Sequence, residues 1–164
     1  MNRKERLNLL CERMAPLLLR YFLRRVDQPA DAADLLNDTL IIAWRKIHTV
    51  PDEPDQERAW MYTVAGNVLT NHRRSLRRRS KLTEALRSEL STADPFQTSE
   101  SAADIAIALS RIPPIEAELV RLIHWEGLSA SEAGRVLGIP ESSARMRYAA
   151  AKHRLESTIA EVHK

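Results

Sequence analysis

Two groups of side chains in this sequence have the types and spacing needed to grip a polyanion. The first is HRRSLRRRSK at residues 72–81, where Arg73, Arg74, Arg77, Arg78, Arg79 and Lys81 place six positive charges in ten residues. In a helix, Arg73 and Arg77 stack at i, i+4, as do Arg74 and Arg78. Like charges at that spacing repel and weaken an isolated helix. A row of phosphates removes that penalty. Asn67 and Asn71 precede the run, one turn apart on a shared face. Their amides both donate and accept, which suits base edges lying beside phosphates. A solubilising charge run is the plain alternative.

The second group is carried by residues 128–155, LSASEAGRVLGIPESSARMRYAAAKHRL. Ser129 can cap a helix, and Glu132 three residues later completes a capping box. Ala133, Val136 and Leu137 give that helix an apolar stripe, and Gly138 stops it where a left-handed residue is needed. Ile139-Pro140 makes the turn, and Glu141 or Ser142 starts a second helix. Ala144, Tyr148, Ala151 and Leu155 fall on one inward face of the second helix. Its opposite face carries Ser142, Ser143, Arg145, Met146 and His153. Two helices joined by a tight glycine turn, the second basic on its outside, form a helix-turn-helix. An ordinary helical hairpin with solvated arginines remains the alternative at this point.

No catalytic constellation accompanies these groups. Asp34 and Asp38 lie at i, i+4 and could hold a metal, but no His or Glu partner sits in a matching motif. Cys11 is the one cysteine, so no intramolecular disulfide and no zinc site can be built. No catalytic residue, metal or cofactor is expected. No apolar run approaches the ~20 residues that span a bilayer. The basic N-terminal residues Arg3, Lys4 and Arg6 are not followed by an uninterrupted apolar core, so no signal sequence or membrane insertion is expected and the location is cytoplasmic.

The elements that must position these groups are helical. Hydrophobic residues make up 44% of the 164 residues, aromatics only 5%, and there are four glycines, a composition that favours helices over sheets. The net charge of +3 is modest, so the basic clusters are local. A first helix or helix pair is predicted over residues 4–26, with Pro16 marking a kink or a second start. Asp27-Gln28-Pro29 is a turn, and Asp31 is the predicted cap of a helix over 32–48. There Leu36, Leu40, Ala43, Trp44 and Ile47 form the inward face, and Asp34, Asn37, Asp38 and Ile41 form another face that either docks on a partner or is merely solvated. Residues 50–57, VPDEPDQE, are predicted as a loop. A helix resumes over 58–72, with Trp60, Met61, Val64, Val68 and Leu69 inward. A short helix at 83–90 and a Ser/Thr/Ala-rich linker follow. Beyond Asp104 come further helices, broken at Pro113-Pro114 and resumed over Glu116–Trp125. The fold class is all-α: two small helical domains, 1–82 and 104–164, joined by a flexible linker at 83–103, the second a helix-turn-helix.

This order, over about residues 5–158, resembles a bacterial sigma factor of the extracytoplasmic-function (ECF) group of the sigma-70 family, the small kind with only regions 2 and 4. The matching text is LLLRYFLRRVDQPADAADLLNDTLIIAWRKI and AWMYTVAGNVLTNHRRSLRRR for region 2, and IPPIEAELVRLIHWEGLSASEAGRVLGIPESSARMRYAAAKHRL for region 4. The resemblance implies a factor that directs core RNA polymerase to promoters. It implies that Asp34, Leu35, Asn37, Asp38, Ile41 and Trp44 dock on the β′ clamp helices. Asn37-Asp38 stand where the family usually has Gln-Glu, and Leu40 where it has Phe. The segment Trp60–Asn71 would open and read the −10 element, with Asn67 at a flipped-base pocket, Asn71 close by, and Arg73, Arg74, Arg77 and Arg78 on phosphates. Thr63 replaces a frequent basic residue. Region 4 would meet the β flap and place Ser142, Ser143, Arg145 and Met146 at the −35 element, with Arg147 and Lys152 near phosphates. Ala149 and Ala150 shorten the reach of that helix, so shape readout gains weight. An anti-sigma protein is a further partner such factors often have. A stand-alone helix-turn-helix regulator of duplex DNA is the alternative, although the first ninety residues lack the strand pattern of a receiver domain.

Overall fold

The structure is a computed structural model that describes residues 1–83 and 100–162. The described residues form seven α-helices and one 3₁₀ turn, with no strand among them. The chain divides into two units, Met1–Pro95 and Phe96–Lys164.

In the first unit, α1 spans Arg3–Leu23. Its start is fixed by a capping box: the Asn2 side chain accepts from the Glu5 N–H, and the Glu5 carboxylate accepts from the Asn2 N–H. Pro16 does not start a second helix; it lies inside α1. Pro16 and Glu12 are both exposed, so solvent can meet the carbonyl that loses its donor. Leu10, Met14, Leu18, Tyr21 and Phe22 recur at three- and four-residue steps and form the buried face of α1.

α2 spans Pro29–Arg45, and its first position is set by Pro29. Asp31 is therefore not the cap but an acid of the first turn, where the helix dipole favours it. The inward face also differs from the predicted one. Ala32, Leu35, Thr39 and Ala43 are buried, whereas Leu36 and Leu40 are half-buried and Trp44 is outside. Small side chains at 32, 39 and 43 suit close helix approach. The buried Thr39 hydroxyl is satisfied by donating to the Leu35 carbonyl at 2.7 Å.

A 3₁₀ turn, Ile47–Thr49, leads to α3, Pro54–Thr83, which starts inside the stretch expected to be a loop. Residues 50–53 are a loop as expected, but Pro54 stands at the first helical position with Asp55 and Glu57 in the first turn, so 54–57 open a helix instead. Ala59, Met61, Tyr62, Ala65, Val68 and Leu69 are its buried set. Tyr62, absent from the predicted inward set, packs its ring 5.5 Å from Tyr21. Beyond Leu69, every residue of α3 from 70 to 81 is exposed except His72.

In the second unit, α4 spans Glu100–Ser110, α5 Pro114–His124, α6 Ala130–Leu137 and α7 Glu141–Val162. Leu109, Ile112, Ala117 and Ala151 form a cluster joined by Val120 and Leu155. α5 and α7 are also tied by an ion pair 2.8 Å long between Arg154 and Glu116, whose side chain is only 9% exposed. Ser129 and Glu132 form the expected capping box, and Gly138 ends α6 in the left-handed conformation at φ 70°. The α6–α7 crossing is close enough that a Cβ on Gly134 would lie 2.9 Å from the Ile139 carbonyl oxygen. The expected helix at 83–90 lies outside the described residues. So does most of the expected linker, while α4 begins within its final residues.

Candidate functional site

α3 carries the first group of candidate residues. At ~100° per residue, Asn67, Asn71, Arg74 and Arg78 fall within a stripe about 60° wide along one side of the helix. All four are exposed. Thr70, Arg73, Arg77 and Lys81 form a second exposed row beside it. The helix thus leaves the packed part of the unit after Leu69, between the two amides, and continues as a basic rod. Arg73 donates to the Arg25 carbonyl at 3.5 Å, a tie to the residues that follow α1.

A groove of about 540 Å³ runs between α2 and α3. Its walls include Asp38, Ile41 and Arg45 from α2, and Val68, Asn71 and His72 from α3. It therefore links the predicted docking face to one of the two predicted base-reading amides. His72 Nε2 is buried with no hydrogen-bond partner, and the Asp31 carboxylate is 3.9 Å away.

The outward face of α2 presents Asp34, Asn37 and Asp38, followed by Ile41 at 44% exposure and Trp44 at 51%. Leu35 does not join them. It is 4% exposed and belongs to the core, because it falls on the inward i, i+4 row that also holds Ala32, Thr39 and Ala43. Trp44 is engaged from α1, since the Arg3 guanidinium lies 5.6 Å from its ring centroid.

In the second unit, the outer face of α7 presents Ser142, Arg145, Met146, Arg147 and Lys152, all exposed, with Ser143 half-buried at its edge. Met146 is the most open of the large apolar residues here, at 75%. Arg145 forms an ion pair with Glu141 one turn earlier. Lys152 lies 5.6 Å over the Tyr148 ring, and the Tyr148 hydroxyl is hydrogen-bonded to His124 Nε2. Glu141 was not among the predicted site residues, although a Glu–Arg pair at i, i+4 is a signal readable from sequence. The contacts of Arg3 and of Tyr148 with His124 join residues far apart in the chain and have no local signal.

Among the described residues, no group of three or more His, Cys, Asp or Glu side chains could hold a metal ion. Likewise, no helix is long and apolar enough to cross a membrane. Burial raises the pKa of the half-buried Cys11 thiol, which disfavours its reactive thiolate form.

Comparison with known proteins accounts for both units. The Sigma-70 region 2 family matches residues 10–79, and the Sigma-70, region 4 family matches residues 102–155. The chain is 30% identical over 151 residues to the ECF RNA polymerase sigma factor SigL of Mycobacterium tuberculosis, covering 90% of this chain and 85% of that one. It is 32% identical over 139 residues to the ECF RNA polymerase sigma factor BldN of Streptomyces coelicolor, covering 82% of this chain and 53% of that one. Its fold is similar to that of the sigma factor RpoE in complex with the anti-sigma factor NepR from Bartonella quintana, with a TM-score of 0.64 at 23% identity over 96% of each chain. It is also similar to CnrH in complex with the cytosolic domain of CnrY, with a TM-score of 0.67 at 22% identity over 94% of this chain and 88% of that one. A free-standing helix-turn-helix regulator would explain the second unit but not the match over residues 10–79. The chain belongs to the ECF RNA polymerase sigma factors of the sigma-70 family.

Proposed function

We propose that residues 1–82 dock on the β′ clamp helices of core polymerase and read the −10 element, that 83–103 link the two modules, and that 104–164 meet the β flap and read the −35 element. The observation that carries this reading is the exposed row Asn67, Asn71, Arg74 and Arg78 on a helix that leaves the packed part of its unit after Leu69. An unpacked basic helix gains little from the fold and much from phosphates. The amides at its base are the first groups a strand on those arginines would meet.

Asn67 holds an extruded base, Asn71 contacts its neighbour, and Arg73, Arg74, Arg77 and Arg78 hold the strand. Extruding a base costs a few kcal/mol, roughly, and the amide pocket together with the arginines offsets it at one edge of the bubble. On α7, Ser142, Ser143, Arg145 and Met146 read base edges while Arg147 and Lys152 hold phosphates. Asp34, Asn37, Asp38, Ile41 and Trp44 form the polymerase-docking face, and Leu35 supports it from below. The chain supplies no catalytic group of its own. RNA synthesis belongs to the polymerase, in the cytoplasm. An anti-sigma protein covering the docking and DNA faces is a further partner, in keeping with the similar RpoE structure, which is a complex with the anti-sigma factor NepR.

The test is run-off transcription with purified core polymerase, with and without this protein, on fragments of its own genome. Transcripts that appear only with the protein, and share −35 and −10 sequences, are expected. No transcript and no stable complex with core polymerase would overturn the reading.

A further inference from the structure

The docking face of α2 ends at a residue that α1 holds in place. Trp44 lies in the last turn of α2, where carbonyl groups lack a helical donor. The Arg3 guanidinium supplies one, donating to the Trp44 carbonyl at 2.9 Å. The same guanidinium lies over the indole ring at 5.6 Å from its centroid. Both residues are exposed, and Trp44 remains 51% accessible. One group therefore fixes the backbone and the ring orientation of the largest exposed side chain on that face. A guanidinium has five N–H donors, and one serves the Trp44 carbonyl. The rest of the fork can meet a carboxylate, to which arginine binds in a planar, two-point geometry.

Arg6 supports the same region in a different way. It donates to the carbonyl of Ile47 at 3.2 Å and pairs with Asp52 at 2.8 Å. It thus ties α1 to the connection that follows α2, through carbonyls and a carboxylate beyond Trp44.

From these contacts we propose that Arg3 is a residue of the polymerase-docking surface, acting with Trp44 as one contact element whose counterpart on core polymerase is a carboxylate beside an apolar patch. The proposal rests on the docking role given above to Asp34, Asn37, Asp38, Ile41 and Trp44. It adds a polarity to that face. The Asp34–Asp38 end is acidic and takes a basic partner group, while the Trp44 end carries Arg3, Arg45 and Lys46 and takes an acidic one. Arg3 sets the ring, and the partner closes over the ring's remaining surface. As the pair is desolvated in the complex, the cation–π attraction grows stronger than it is on the free surface.

The test measures affinity of the full-length protein for core polymerase by fluorescence anisotropy, for wild type, R3A, R3K, W44A, the R3A/W44A double variant and R6A. R3A is expected to weaken binding about tenfold, the size of one charged hydrogen bond to the partner's carboxylate. R3K keeps the charge but loses the planar fork, and is expected to recover only part of the loss. In the W44A background, R3A is expected to have little further effect, since the two side chains act as one element. The melting temperature of R3A should stay close to wild type. R6A is expected to lower the melting temperature but, at a temperature where it is folded, to bind nearly as wild type does. Wild-type affinity for R3A, or an R3A effect of full size in the W44A background, would overturn the proposal. So would an R6A loss equal to that of R3A, because the effect would then come from the connection rather than from Trp44. Failure of the wild-type chain to bind core polymerase would remove the docking reading itself, an outcome distinct from any result on Arg3.

Discussion

Gly134→Ala offers a sign test of the helix-turn-helix geometry. An alanine at this position inside α6 should stabilise the helix on propensity alone, by about 0.5–1 kcal/mol. The structure argues the opposite. A Cβ there would lie 2.9 Å from the Ile139 carbonyl oxygen and 3.4 Å from the Ala144 Cβ. The carbonyl is not free to swing away. The Ile139 N–H donates to the Gly134 carbonyl at 2.9 Å, Pro140 restricts the backbone of Ile139 before it, and the Ala144 N–H donates to the Pro140 carbonyl at 3.0 Å. Relief must come from shifting the Ile139-Pro140 turn, and with it the start of α7, away from α6. Overpacking of this kind costs about 1–3 kcal/mol. Against a rigid backbone neighbour the upper part of that range applies, so the net loss after the propensity gain is about 1–2 kcal/mol. For a unit of this size, each kcal/mol lowers the melting temperature by about 4–8 °C. Scanning calorimetry of the full chain should therefore show the transition of the second unit falling by about 4–16 °C, while that of the first stays in place. Binding to a −35 duplex should weaken as well, because the reading face moves with α7. A melting temperature that is unchanged or raised would show that the turn yields easily, and would refute the argument.

Four further outcomes are expected. Asn67→Ala should impair promoter opening, read by permanganate reactivity in the −10 region, by about 5–30-fold while leaving affinity for core polymerase unchanged; equal loss of both would remove Asn67 from the base pocket. Arg78→Ala should make the slope of log affinity against log salt shallower by about 0.7–0.9 on promoter DNA, one phosphate's worth; an unchanged slope would place Arg78 off the strand. Glu141→Gln releases Arg145 from its ion pair, so non-specific duplex affinity should rise by up to about fivefold while the ratio of specific to non-specific binding falls; an unchanged ratio would mean that Glu141 has no part in selectivity. Ser129→Ala removes one half of the capping box and should cost about 1 kcal/mol of stability in thermal denaturation, and a loss near zero would show that Glu132 alone holds the helix start.

The helix-turn-helix was legible almost residue by residue because its signals are local. Ser129 with Glu132, Gly138 with a positive φ, and the Ala144–Ala151 row each depend on neighbours within a turn or two. α2 was legible as a helix but not as to its inward side. Two rows overlap there, and ranking by apolar size selects Leu36, Leu40 and Trp44, whereas the packed structure buries Ala32, Leu35, Thr39 and Ala43. Close helix approach favours small side chains, and Thr39 is tolerated because its hydroxyl bonds to its own helix. Leu35 entered the docking set through the family resemblance, and its burial makes it a core residue. The Pro54 region was misread because proline and acids mark both loops and helix starts, and only the downstream burial of Glu57 and Ala59 separates them. Contacts such as Arg3 with Trp44 or Arg13 with Glu57 bridge more than forty positions, and no periodicity announces them.

The composition of the α7 face explains why such a protein must act through the polymerase. On the proposed reading, Ser142 and Ser143 reach only a short way, Met146 offers no hydrogen bond to a base edge, and a two-point contact of Arg145 with guanine competes with its ion pair to Glu141. A bidentate arginine–guanine pair discriminates by about 1–3 kcal/mol, and the lost surface ion pair takes back up to about 1 kcal/mol. Specific DNA binding at ~10⁻⁸ M corresponds to about 11 kcal/mol. Base reading by this helix alone falls far short of that, and phosphate contacts add affinity without sequence. The Asn67–Arg78 row has the same character on the proposed reading: two amides to read, and arginines to hold the strand. Two such modules gain selectivity when one scaffold fixes their separation, because binding of the first raises the effective concentration of the second to the millimolar range, roughly. Promoter choice then depends on how firmly each unit is seated on the polymerase. Changes on the α2 face, at Trp44 or at the Arg3 that orients it, should therefore alter which promoters are used without touching a base.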